Sequence, residues 1–111
     1  MATLSSHLLN SVNGTHANNV DVIIYQIKSN GEKKVFCEAK TDSGGRLLKE
    51  FKLNDEDCKS EYEMVCKTGD YFSEKKIVSE IIVKFKMPDP NKKYHIPIII
   101  SPNGYSIWWS D

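Results

Sequence analysis

Three side chains in this chain have the chemistry to move protons beside a polarised carbonyl: His7, Arg46 and His95. Imidazoles titrate near neutral pH, so a pair of them can take up a proton at one point of a reaction and return it at another. A guanidinium offers paired N–H donors that hold a flat, electron-rich oxygen system. Together they suit hydrolysis of a cyclic amide or ureide. Taken singly, each has an ordinary reading. Either histidine can be a half-buried imidazole satisfied by one neighbour, and Arg46 a solvated residue after a Gly-Gly turn. Convergence of the three is what turns them into a site. No metal is expected, because two histidines without a carboxylate at fixed spacing fall short of the usual three or four ligands. Cys37, Cys58 and Cys66 show neither metal-ligand spacing nor a nearby histidine, which disfavours a thiol nucleophile.

The elements that must position these residues read mainly as short strands. Leu4 to Asn10 alternates, with Ser5, His7 and Leu9 on one side and Leu4, Ser6 and Leu8 on the other, before Asn13-Gly14 breaks the run. Tyr94 to Ser101 places Tyr94, Ile96, Ile98 and Ile100 on a core-like face and His95, Pro97, Ile99 and Ser101 on the other. If these two strands are neighbours in one sheet, His7 and His95 project from the same face, and Arg46 at a sheet end can reach them. A turn, Thr41-Asp42-Ser43-Gly44-Gly45, delivers Arg46.

Elsewhere, Val20 to Ile27 and Lys33 to Lys40 form a hairpin around Ser29-Asn30-Gly31. Leu47 to Leu53 and Ser60 to Lys67 are strands around an acidic loop, Asn54 to Asp57. Glu80 to Lys86 is a strand with Ile81, Val83 and Phe85 inward. Ser101-Pro102-Asn103-Gly104 turns the last hairpin. Asp70 to about Ile77 is the one predicted helix, capped by Asp70. Seven or eight short strands and one short helix predict an antiparallel β-sandwich.

With 111 residues, the chain is expected to form a single domain over 1–111, burying roughly two thirds of its unfolded surface. Fifteen basic and fifteen acidic residues cancel and are interspersed, which disfavours nucleic acid or an anionic membrane as partner. An odd number of cysteines argues against a closed disulfide framework. No secretory leader, no run of ~20 apolar residues and no peroxisomal tripeptide is read, so a reduced cytoplasmic protein is expected.

At these residues a family resemblance appears. Leu4-Ser5-Ser6-His7-Leu8-Leu9-Asn10 with Asn13-Gly14 resembles the Leu-Ser-Thr-His-Val-Leu-Asp opening of the transthyretin-related 5-hydroxyisourate hydrolases. Thr41 to Arg46 resembles their Thr-Asp-x-Asp-Gly-Arg turn, and Thr68-Gly69-Asp70-Tyr71-Phe72 their Thr-Gly-x-Tyr-Phe segment. Tyr94 to Pro102 is similar to their Tyr-His-Val-Pro-Leu-Leu-Leu-Ser-Pro strand. The resemblance implies a transthyretin-like sandwich, a homotetramer with sites in the channel where two dimers meet, and ring opening of 5-hydroxyisourate by an activated water without metal or cofactor. It also implies catalytic and substrate-binding roles for His7, Arg46 and His95.

The sequence departs from the family at its end. The closing Tyr-Arg-Gly-Ser falls on Trp108, Trp109, Ser110 and Asp111. Trp108 takes the substrate-contacting tyrosine's place, Ser110 can partly replace the lost hydroxyl, and Asp111 with its free carboxylate can accept a hydrogen bond or a proton. His16 replaces a usual proline and Gly44 a usual aspartate, both at turn positions. One tryptophan is expected to pack in the sandwich and its neighbour to meet the channel or a partner subunit. Two functions follow. The retained His/Arg/His set favours a cofactor-independent hydrolase of 5-hydroxyisourate in urate breakdown. The altered tail favours a non-catalytic carrier of a flat aromatic ligand.

Overall fold

The computed structural model describes residues 1–72 and 78–109. Nine strands and two short helices lie among them: β1 Ala2–Asn10, β2 Thr15–His16, β3 Asp21–Ile27, β4 Lys33–Lys40, β5 Arg46–Phe51, α1 Asp55–Lys59, β6 Glu61–Cys66, α2 Thr68–Tyr71, β7 Ile81–Lys86, β8 Lys93–Ser101 and β9 Gly104–Ile107. They form two facing sheets. One runs β4-β3-β6-β7, all antiparallel. In the other, β1 is central: β8 and then β9 lie on one side, while β5 and β2 share its opposite edge.

The predicted sandwich is therefore the observed one, with one pairing of opposite sense, because β1 and β8 run parallel. Neither local hairpin geometry nor alternation reveals that pairing, which joins residues about 90 apart, as in the Ser5–His95 contact.

Alternation decides what is buried. Leu4, Ser6 and Leu8 of β1 and Tyr94, Ile96, Ile98 and Ile100 of β8 point inward, against Val22, Ile24, Tyr62, Met64, Cys66 and Ile81 of the second sheet. Each fully buried Leu or Ile contributes about 1.5–3 kcal/mol, so the rows that carry the imidazoles are anchored from behind. Several buried polar side chains find partners. Ser6 donates to the Ile96 carbonyl at 2.7 Å, and the Gln26 amide donates to Asp57 and Ser60 at 2.8 and 3.1 Å.

Two local expectations change. The acidic stretch after Leu53 is not a loop but α1, because Asn54 and Asp57 form a reciprocal capping box, each side chain satisfying the other's backbone N–H. The second helix opens at Thr68, with Asp70 inside its only described turn; residues 73–77 of the predicted helix lie outside the described residues. Strand ends move by one or two residues, and β5 stops at Phe51 to give way to the α1 cap.

Candidate active site

The site is built on the outer face of the sheet around β1. His7 pairs with Arg46 of β5 on one side and with Pro97 of β8 on the other. Ser5, two residues earlier, pairs with Leu48 and His95, and Leu9, two residues later, with His16 and Ile99. Residues level across neighbouring strands project from the same face. That face therefore carries Arg46, His7, His95 and His16 together. The ladder continues into the tail, where the Trp108 N–H donates to the Pro97 carbonyl at 3.4 Å.

His95 is half-buried, and its Nδ1 lies 2.8 Å from the Ser5 hydroxyl. That contact fixes the ring through one nitrogen. His7 is also half-buried, and its Nε2 lies 2.9 Å from Nδ1 of His16. The two rings stack with centroids 4.9 Å apart and planes 23° apart. Burial, first, and then the charges of Arg46 and His16 hold the His7 imidazole below its ordinary value of 6.5, with a smaller push from His95; the Gly44 backbone acts the other way. The shift favours the neutral imidazole, which is the form that accepts a proton.

The turn before β5 aims Arg46. The Asp42 carboxylate accepts from the backbone N–H groups of Gly44 and Arg46, both at 2.9 Å. The Arg46 N–H does most to keep that carboxyl below its usual range, against the effect of desolvation. Gly45 has φ +71°, and a Cβ there would sit 2.5 Å from the Leu8 carbonyl and 3.1 Å from the His16 Cβ. Its own carbonyl accepts from the Leu8 N–H at 2.8 Å. Only glycine lets this turn close against both β1 and β2.

Trp109 packs against Tyr94 with ring centroids 5.7 Å apart, and the Lys92 ammonium lies 5.5 Å from its ring. Both tryptophans remain about half exposed and border, with Val83, Phe85, Ile96 and Ile107, a cleft of about 280 Å³ at the sandwich edge. Ser110 and Asp111 lie outside the described residues. Burial pushes the Cys66 thiol up to about 12, and burial with nearby carboxylates raises Cys58, which disfavours either as a nucleophile. Among the described residues, no group of three or more His, Cys, Asp or Glu side chains is placed to hold a metal ion.

All three predicted residues thus meet on one face. Two neighbours were not singled out from sequence as members of the site. Ser5 shared the alternating row of His7, but its contact with His95 depends on the β1–β8 register. His16 was read as a turn substitution, although the Asn13-Gly14 turn already returns the chain to a position level with Leu9.

A sequence model of the HIUase/Transthyretin family matches residues 4–109. The chain belongs to that family. It is 30% identical over 112 residues to a 5-hydroxyisourate hydrolase of Halalkalibacterium halodurans, covering 95% of this chain and 94% of that one. It is 34% identical over 108 residues to the 5-hydroxyisourate hydrolase of Salmonella dublin, covering 95% and 78%. Among solved structures, Klebsiella pneumoniae 5-hydroxyisourate hydrolase aligns with a TM-score of 0.77 at 22% identity, over all of both chains. Sea bream transthyretin in complex with thyroxine aligns with a TM-score of 0.83 at 20% identity, over 96% of this chain and 93% of that one. The family fold is thus shared by an enzyme and a binding protein, and the site has to discriminate between them.

Proposed function

We propose that this member of the HIUase/Transthyretin family hydrolyses 5-hydroxyisourate, opening its ring at a cyclic amide C–N bond in urate breakdown. The observation that carries the reading is the lateral row Arg46, His7 and Pro97, with His95 two residues before Pro97 on the same face. A binding protein for an apolar ligand has no use for two imidazoles beside a guanidinium. The names of the relatives point the same way.

In this reading, a neutral imidazole of the His7/His95 pair takes one proton from water as the water oxygen bonds to the ring carbonyl carbon. The C–N bond then breaks, and that proton is delivered to the departing nitrogen, leaving a carboxylic acid that releases water's second proton to solvent and ends as a carboxylate. Arg46 holds the substrate and the oxygen on which negative charge develops. Ser5 keeps the His95 ring turned through Nδ1, so Nε2 is the nitrogen that meets water or substrate. No cofactor is needed for these steps. Trp108, level with Pro97, is assigned with Ser110 and Asp111 to substrate contact. Following the family resemblance, the reading assigns the exposed Arg46 to a channel between subunits of a cytoplasmic homotetramer, in a single domain over 1–111. Replacing Arg46 by Ala is expected to lower kcat/KM for 5-hydroxyisourate on the order of a hundredfold; an unchanged value would remove Arg46 from the site.

The exposed Trp108 and Trp109 at an apolar cleft favour a second reading, a carrier of a flat aromatic ligand. A carrier would gain thermal stability from such ligands by mass action and would show no turnover.

A further inference from the structure

We propose that His16 is a positioning residue for His7, resting on the hydrolase reading above: its Nδ1 fixes His7 Nε2, and the two rings handle a proton as one unit. The geometry permits little else. Two ring nitrogens 2.9 Å apart require that one carry a hydrogen and the other a lone pair, so a single proton lies between them. The pair can take up one further proton at an outer nitrogen and keep this bond. A second can enter only by breaking it.

His16 is exposed, yet the backbone around it is fixed. Its strand is paired at Leu9 and Asn10. The Asn13 side chain accepts from the Thr15 N–H and hydroxyl at 3.0 and 2.6 Å. The Ala17 N–H donates to the Leu8 carbonyl at 2.9 Å, and Gly45 closes behind the His16 Cβ. These contacts hold the imidazole against His7 with its rotation limited by the stack. The other charged groups around His7 are Arg46 on β5 and His95 on β8, which oppose added positive charge, and Asp42 in the turn before β5, which favours it. His16 differs from all of them in touching the reactive ring directly. It holds His7 Nε2 in a hydrogen bond whichever ring supplies the hydrogen, and gives the proton taken from water a second ring over which to relax.

Two variants separate this role from surface packing. His16→Phe keeps an aromatic ring to stack and removes the hydrogen bond, whereas His16→Asn places a polar atom near the Nδ1 position. His16→Phe is expected to lower kcat about tenfold with little change in KM, and His16→Asn to restore most of it. The His7 ring signals, followed by NMR, are expected to titrate in two steps in the wild type and in one step in His16→Phe. Unchanged kcat together with a one-step His7 titration in every form would overturn the role. An inactive wild type that still shows two-step titration would remove the hydrolase reading while leaving the imidazole pair intact.

Discussion

At the scale of single residues, the site depends on two imidazoles held in different ways. His95 is oriented by one hydrogen bond with the Ser5 hydroxyl, which contributes about 0.5–1.5 kcal/mol. Ser5→Ala is therefore expected to lower kcat/KM about two- to tenfold without altering the fold, measured by steady-state kinetics beside circular dichroism. Burial, and then Arg46, His16 and His95, shift His7 toward its neutral form. The sign follows directly: an imidazole whose titration point is lowered stays neutral, and competent as a base, below pH 6.5. With His7 as the base, the acid limb of kcat/KM is expected to have its midpoint below 6.5, and a midpoint at or above that value would contradict His7 acting as a base of lowered titration point. The same shift makes stability rise with pH between the lowered value and 6.5, because the unfolded chain binds more protons there. Residue types alone disclosed His7, Arg46 and His95 as candidates. They could not disclose Ser5 or His16 as partners, since a serine and a turn histidine acquire meaning only from what lies across the sheet.

At the scale of elements, β1 gathers the site because β5, β2 and β8 all pair with it. The turn at Gly45 sets how closely β5 and β2 approach. Gly45→Ala forces a Cβ to 2.5 Å from a backbone carbonyl at a positive φ, and is expected to cost more than about 1 kcal/mol. Thermal denaturation would show a lowered Tm, and the Arg46-dependent step should weaken with it; an unchanged Tm would contradict the close packing. Most strands were legible from alternation, as in Ser5-Ser6-His7-Leu8, and from turn residues such as Pro102-Asn103-Gly104. The capping box at Asn54 and Asp57 was written in the sequence but masked by its acidity, which reads as loop. The parallel register of β1 on β8 was not legible, because it is set by packing of two rows on a common core rather than by any local signal.

At the scale of the whole molecule, the same sandwich serves relatives whose names denote a hydrolase and a thyroxine complex, so architecture cannot decide function. What bears on function in this chain is a polar outer face with two half-buried histidines beside an arginine, alongside a tail that exposes two tryptophans. The core beneath that face is apolar and continuous, which keeps the strand carrying each imidazole in place while its outer side stays open. The most direct measurement is the loss of freshly generated 5-hydroxyisourate, followed by absorbance with wild-type protein and with His95→Ala of unchanged fold. The account predicts decay well above the spontaneous rate with the wild type and close to that rate with the variant. Wild-type decay at the spontaneous rate, or equal acceleration by both proteins, would contradict it.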